Sequence, residues 1–203
     1  MVVMPLAKAE WSGVSLSLNE VNSDWLFESG RRNAEISRLD LQFEEKTPSG
    51  LGVGANIGQI TTRVSDLNGP RNTRKFDGSY LGVYLRYPVP LGEFFSLHSK
   101  LAYQYHSATQ IDSSVYNQIE TRDIGVELGL SGRFSNLRVT AFAAYNDVSG
   151  DISGDTGTEI FENEESVSSG ISFDLFVESS GYIRLRMTRG EQDSASLSFA
   201  REF

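Results

Sequence analysis

The sequence predicts an all-β chain folded as one up-and-down antiparallel barrel of about ten strands, with eight or twelve as neighbouring solutions. Three observations lead there. Apolar residues recur at every second position through most of the chain, no stretch carries a helical period, and Gly-, Ser-, Asn- and Pro-rich connections punctuate the alternating segments.

Taken in order, Val14, Leu16 and Leu18 alternate with Ser15, Ser17 and Asn19. Leu39, Leu41 and Phe43 alternate with Arg38, Asp40, Gln42 and Glu44, and Leu51, Val53, Ala55 and Ile57 with glycines and Asn56. Leu81, Val83, Leu85 and Tyr87 oppose Tyr80, Gly82, Tyr84 and Arg86; Phe95, Leu97, Leu101, Tyr103 and Tyr105 oppose Ser96, His98, Lys100, Gln104 and His106. The second half repeats the pattern. Ile124 to Leu130 oppose Asp123, Gly125, Glu127 and Gly129, and Leu137 to Tyr145 oppose Arg138, Thr140, Phe142 and Ala144. Val167 to Val177 oppose Ser168, Gly170, Ser172 and Asp174, and Ile183, Leu185 and Met187 oppose Arg184 and Arg186. Ala195, Leu197, Phe199 and Phe203 close the chain. Each segment has the period of a strand with one apolar face.

The connections alternate in length. Short turns are expected at residues 45–50, 88–93, 133–136 and 179–181, and long polar loops at 20–33, 64–75, 107–118 and 147–165, with a short final hairpin at 190–193. Elaborated loops on one rim only are what an up-and-down barrel produces.

Composition removes several function classes. A net charge of −9 opposes a duplex-binding protein, which neutralises phosphates with a basic face, so no nucleic acid is expected as a partner. Zero Cys removes thiol catalysis, disulfides and thiolate metal sites. No run of about 18 apolar residues exists for a transmembrane helix. Residues 1–9, MVVMPLAKA, end in Ala7-Lys8-Ala9 and read as the tail of an export signal or as a disordered leader, leaving residues 10–203 as a single barrel domain.

The polar face decides which side is inside. Solvent-facing strands favour Lys, Glu and Thr, whereas this face carries Gly, Ser, Tyr and Arg. Its charges nearly balance: Arg38, Arg86, Lys100, Arg138, Arg184 and Arg186 against Asp40, Glu44, Asp123, Glu127 and Asp174. Enclosed charges need partners. The apolar face bears aromatics near strand ends, Phe43, Tyr87, Phe95 and Phe203 at the short-turn rim and Tyr103, Tyr105 and Tyr145 at the other, where interfacial girdles belong. The polar face is therefore read as lumen and the apolar face as lipid-exposed; a soluble ligand-binding barrel is the alternative.

In this pattern the chain resembles bacterial outer-membrane β-barrel proteins. The resemblance spans residues 10–203 but rests on no diagnostic motif. It implies a place in a Gram-negative outer membrane, contact with its lipids and lipopolysaccharide, both termini in the periplasm, and a C-terminal assembly signal read by the barrel assembly machinery. Leu197, Phe199 and Phe203 supply that signal, and Arg201 departs from it.

Hairpin arithmetic in the lumen sets Asp174 opposite Arg186 with Arg184 diagonal, His98 opposite Glu127, Ala102 opposite Asp123, Lys100 between the two carboxylates, and Tyr84 beside His98. Together with Arg38 and Asp40 these residues are expected to form a salt-bridge plug, since about ten strands leave too little room for a wide pore. A hydrolase would need His106 with Asp123 or Asp112, because adjacent Ser107 points to the opposite face. In the acidic loop Asp151, Asp155 and Glu159 are the candidates for a divalent cation, but their spacing matches no EF-hand, and a solvated loop is expected. Arg63, Arg71, Arg74 and Lys75 are positioned to meet lipopolysaccharide phosphates.

No cofactor is expected. The reading is a non-enzymatic structural or surface-interaction protein acting through its long loops, possible protein partners included, with a narrow porin-like channel as the alternative and a barrel-embedded hydrolase behind it. A closed membrane barrel resists SDS until heated, because its backbone pairs are satisfied within the wall. The folded chain should therefore migrate differently on SDS gels before and after boiling; a single mobility, with the chain soluble in plain buffer, would turn the barrel inside out.

Overall fold

A computed structural model describes residues 10–66, 69–110, 117–154, 157–164, 166–190 and 192–203. Residues 1–9, and with them the expected signal remnant, lie outside the described residues. The described chain is antiparallel β-sheet throughout: β1 Glu10–Phe27, β2 Gly30–Lys46, β3 Gly52–Asp66, β4 Gly69–Pro90, β5 Phe95–Gln110, β6 Asn117–Phe134, β7 Leu137–Gly154, β8 Gly157–Asn163, β9 Val167–Phe176, β10 Gly181–Gly190 and β11 Gln192–Glu202.

Sequential hairpins build the wall, and β11 returns to β1 in register from Gly13↔Glu202 to Ser23↔Gln192, so the ring is closed. Crossing a bilayer takes about 9–11 tilted residues. Strands β9, β10 and β11 have 10, 10 and 11 residues, whereas β1 to β7 have 15 to 22. The excess of β1 to β7 forms a second storey at the rim distal to the termini. There β8 replaces β9, β10 and β11: it pairs with residues 149–154 of β7 and, through Phe161, Glu162 and Asn163, with Phe27, Leu26 and Trp25 of β1. The barrel thus has ten strands near the termini and eight at the distal end.

This arrangement corrects the expected loops. Among the described residues, 20–27 and 30–33, 64–66 and 69–75, 107–110 and 117–118, and 147–154 and 157–163 are strand rather than loop. The alternation of the backbone continues across the step, but the chemistry of the two faces inverts. On β3 the outward residues change from Val53, Ala55 and Ile57 to Gln59, Thr61 and Arg63, while inward positions become Ile60, Thr62 and Val64. On β4, Leu81, Val83 and Leu85 face outward below, with Leu81 57% exposed, and Phe76 is fully buried above. Hydrocarbon surrounds the lower storey and water the upper one, so each places its apolar face where its solvent dictates.

Inside the distal storey Trp25 stacks on Phe161 with centroids 4.2 Å apart, and Phe27 tilts against the same ring at 5.0 Å. Ile36, Ile60, Val64, Phe76, Ile119 and Ile152 complete a dry core. Arg32 lids it, its guanidinium 4.2 Å from the Phe27 ring centroid and donating to Glu159 at 2.7 Å. Outside, Arg31 bridges Asp24 at 2.5 Å and Glu164 at 2.9 Å. The hydrogen bond from Arg31 holds the Asp24 carboxyl below the ordinary aspartate range.

The step itself leaves the edge of β7 that faces β8 and β9 without a strand partner at residues 146–148, while β6 still pairs on the other side, and a side chain fills in. Val148 N–H donates to Asn163 Oδ1 at 3.0 Å, and Asn163 Nδ2 donates to the Asn146 carbonyl at 3.0 Å. The main chain seals either side, Asn146 N–H to Ser166 O at 2.8 Å and Glu164 N–H to Asp24 O at 3.1 Å. An Asn163→Leu change orphans a buried donor and acceptor, each costing about 1–3 kcal/mol. Amide exchange at Val148 should accelerate at least tenfold while the heat-dependent gel shift persists; unchanged exchange would remove Asn163 from this role.

Candidate functional site: the lumen

Inward glycines make room for large lumen side chains, and the register shows how. Gly54 faces Tyr84, Gly58 faces Tyr80, Gly170 faces Phe142 and Gly150 faces Phe161. In each pair the ring lies over its partner: a Cβ on Gly54 would come within 2.1 Å of Tyr84, and one on Gly170 within 2.5 Å of Phe142. A narrow barrel accepts such rings most easily where the neighbouring strand has no side chain.

On this frame the charges pair. Asp174, completely buried, accepts from Arg184 Nε at 2.6 Å and from Arg138 Nε at 2.7 Å. Glu127 accepts from Arg186 Nη2 at 2.5 Å and lies 3.3 Å from His98 Nε2. Arg186 also rests on the Phe142 ring at 3.7 Å. Glu44 takes the Tyr84 hydroxyl at 3.3 Å, with Arg86 3.9 Å away. Higher up, Asp40 accepts from the Asn19 and Gln42 amides at 3.0 and 2.7 Å, and Arg38 donates to Gln104 at 3.0 Å.

The faces of these residues match the alternation; their partners differ from the hairpin arithmetic. Asp174 faces Arg184, and Arg186 faces Ser172. Lys100 faces Glu127, His98 faces Gly129, and Gln104 rather than Ala102 faces Asp123. Tyr84 faces Ala102, and His98 faces Pro88. Each register pair slides by two residues or more, which keeps every side chain on its face; His98 still reaches Glu127 at 3.3 Å, and Arg184, expected on the diagonal, meets Asp174 at 2.6 Å. Lys100 does not bridge carboxylates; its ammonium sits 4.8 Å from the Tyr84 ring centroid.

His106 does not assemble with Asp123. It faces Thr121, lies 3.4 Å from Gln104 and abuts Tyr80 edge-on at 5.4 Å, while Asp112 lies outside the described residues. The sequence reading sets His98 opposite Glu127 but does not include Ser131; His98 stands between Ser131 Oγ at 3.5 Å and Glu127 at 3.3 Å. That order suits a nucleophile, a base and an acid. The groups are engaged elsewhere, however: Ser131 bonds Thr140 at 2.7 Å, and Arg186 occupies Glu127.

The cation candidates separate. Asp151 is on the outer wall, Glu159 turns inward to Arg32, and Asp155 lies outside the described residues. Among the basic residues, Arg63 and Lys75 are outward cross-strand neighbours, each near an acid, Glu35 at 4.0 Å and Asp77 at 3.0 Å; Arg74 has inward parity, and the Arg71 side chain lies outside the described residues. Tyr87, Phe95, Tyr103, Tyr145 and Phe203 are exposed on the outer wall, with Phe43 and Tyr105 half-buried there. Phe94 and Phe134 join them at the terminal rim, hidden from a strand-based reading because they flank turns. Leu197 and Phe199 face lipid, and Arg201 lies 5.7 Å from the Phe203 ring centroid.

Removing the Asp174 carboxylate leaves two enclosed guanidinium groups without their anion. Asp174→Ala should lower stability by about 3–5 kcal/mol in urea titrations of the micelle-folded chain; an unchanged midpoint would show that the network contributes nothing.

No protein-family model and no curated relative matches the chain. Solved structures do. The translocator domain of the autotransporter NalP from Neisseria meningitidis superposes with TM-score 0.52 at 13% identity, covering 96% of this chain and 89% of that one. The outer-membrane protease OmpT from Escherichia coli gives 0.50 at 8%, covering 100% and 99%. The transport unit of the autotransporter AIDA-I, also from Escherichia coli, gives 0.50 at 7%, covering 100% and 93%. At these identities the likeness is one of fold. The lipid-facing belt, the closed ring and these superpositions agree: this chain has the fold of the β-barrels of the Gram-negative outer membrane.

Proposed function

We propose that the chain is a non-enzymatic outer-membrane protein, closed at the distal end of its lumen, whose distal storey stands outside the cell as a surface element contacting lipopolysaccharide or a protein partner. One observation carries the reading: the lumen ends distally in a dry core built on Trp25, Phe76 and Phe161, each no more than 1% exposed. A water-filled path needs polar lining throughout, and a core at protein density leaves no route for ions. The short turns near the termini suit a periplasmic rim. The outer wall of the distal storey is polar and braced by ion pairs such as those of Arg31, a surface suited to an aqueous exterior.

Planar bilayers holding the purified chain should show no conductance steps above the bare membrane. Trp25→Ala combined with Phe161→Ala, which empties the stacked pair, should produce them. Steady conductance from the unaltered chain would overturn the plugged reading in favour of a narrow channel.

A further inference from the structure

We propose that the lumen holds a binding site for a small zwitterion of amino-acid size, its carboxylate taken by Lys100 and Arg38 and its ammonium by Asp40 and Asp123. All four residues line one cavity of about 230 Å³ at mid-height. At ~30 Å³ per water this is room for about eight waters, or for a solute with a similar number of non-hydrogen atoms.

The cavity is shaped by omission. At Gly54, Gly58, Gly150 and Gly170 an inward glycine is covered by a ring from the next strand, whereas Gly82 meets the Asn56 and Gln104 side chains. At mid-height Ala102 faces Gly125, and Ala144 follows on β7. A Cβ on Gly125 would meet the end of the small Asn146 side chain, its Oδ1 at 2.7 Å, rather than a ring. The sequence leaves this space open between large neighbours.

The charges around it are left over from the pairing below. Arg184 is matched by Asp174 and Arg186 by Glu127. Lys100 has the Tyr84 ring face, and neither it nor Asp123 makes a hydrogen bond or an ion pair within 4.0 Å to a described residue. Asp40 has amide donors from Asn19 and Gln42, and Arg38 an amide acceptor in Gln104, so neither meets an opposite charge at close range. Two cations and two anions therefore share one enclosed polar space, and a ligand bearing one charge of each sign completes both sets. Enclosed charges are costly until matched. The dry distal core closes the far end, and a second cavity of about 100 Å³, lined by Glu44, Arg86 and Glu202, lies towards the terminal rim. A solute would enter and leave by that rim, which makes the space a site rather than a passage.

The full chain, folded in detergent micelles, would be titrated calorimetrically with the ω-amino acids from glycine to 6-aminohexanoate, and separately with acetate and with ethylammonium. One length should saturate a single site at least tenfold more tightly than either single-charge ion. Lys100→Met and Asp123→Asn should each weaken it at least tenfold, and Ala102→Leu, which fills the cavity and keeps every charge, should abolish it. Heat-dependent gel mobility checks the fold of each variant. Saturation by none of the probes, equal affinity for acetate or ethylammonium, or binding undisturbed by Ala102→Leu in a folded barrel would each overturn the site. If a charge variant fails to fold, the unaltered chain and Ala102→Leu decide the matter.

Discussion

Hydrocarbon offers no hydrogen bonds, so every backbone donor and acceptor in the spanning wall must find its partner in another strand. That requirement forces the ring to close, and the eleven register pairs between β1 and β11 are the closure. Everything else in the molecule is an accommodation to it. The distal storey meets the same requirement with fewer strands, β8 doing in seven residues what β9 to β11 do below. The awkward point is the change of partner on β7, where the amide of Asn163 continues the ladder in place of a strand.

Closing a ring of ten strands fixes how much can be put inside it. Several rings enter the lumen over glycine, as at Gly54 with Tyr84 and Gly170 with Phe142. Steric allowance on one strand thus decides the chemistry available to the next. The charges obey a similar coupling: Arg184 and Arg138 converge on a carboxylate that has no solvent of its own, and Arg186 satisfies Glu127 while covering Phe142. Low effective dielectric makes such pairs mutually dependent, since removing one member leaves the other enclosed and uncompensated.

The two storeys show one backbone serving two solvents. Below the step the barrel is apolar outside and polar within; above it the order reverses without a break in the strands. Sequence alternation reports only that the faces differ. The change from Ile57 outward to Ile60 inward looks, along the chain, like a lost period, and so the distal strands read as polar loops.

The sequence by itself determined the fold class, the ten-stranded ring, the lipid-facing set of side chains and the membership of the lumen, because a period of two assigns each residue to a face without reference to anything distant. It did not determine who meets whom. Shifting a hairpin by two residues preserves every face at little local cost, so the pairing of Asp174 with Arg184, and of Lys100 with Glu127, was settled only when all ten strands closed together. The distal core was equally out of reach. Trp25 and Phe161 are 136 positions apart and meet only because β8 inserts between β7 and β1. The cavity between Lys100 and Asp123 has the same origin: it is a space lined by all ten strands of the lower ring, and no single strand records it.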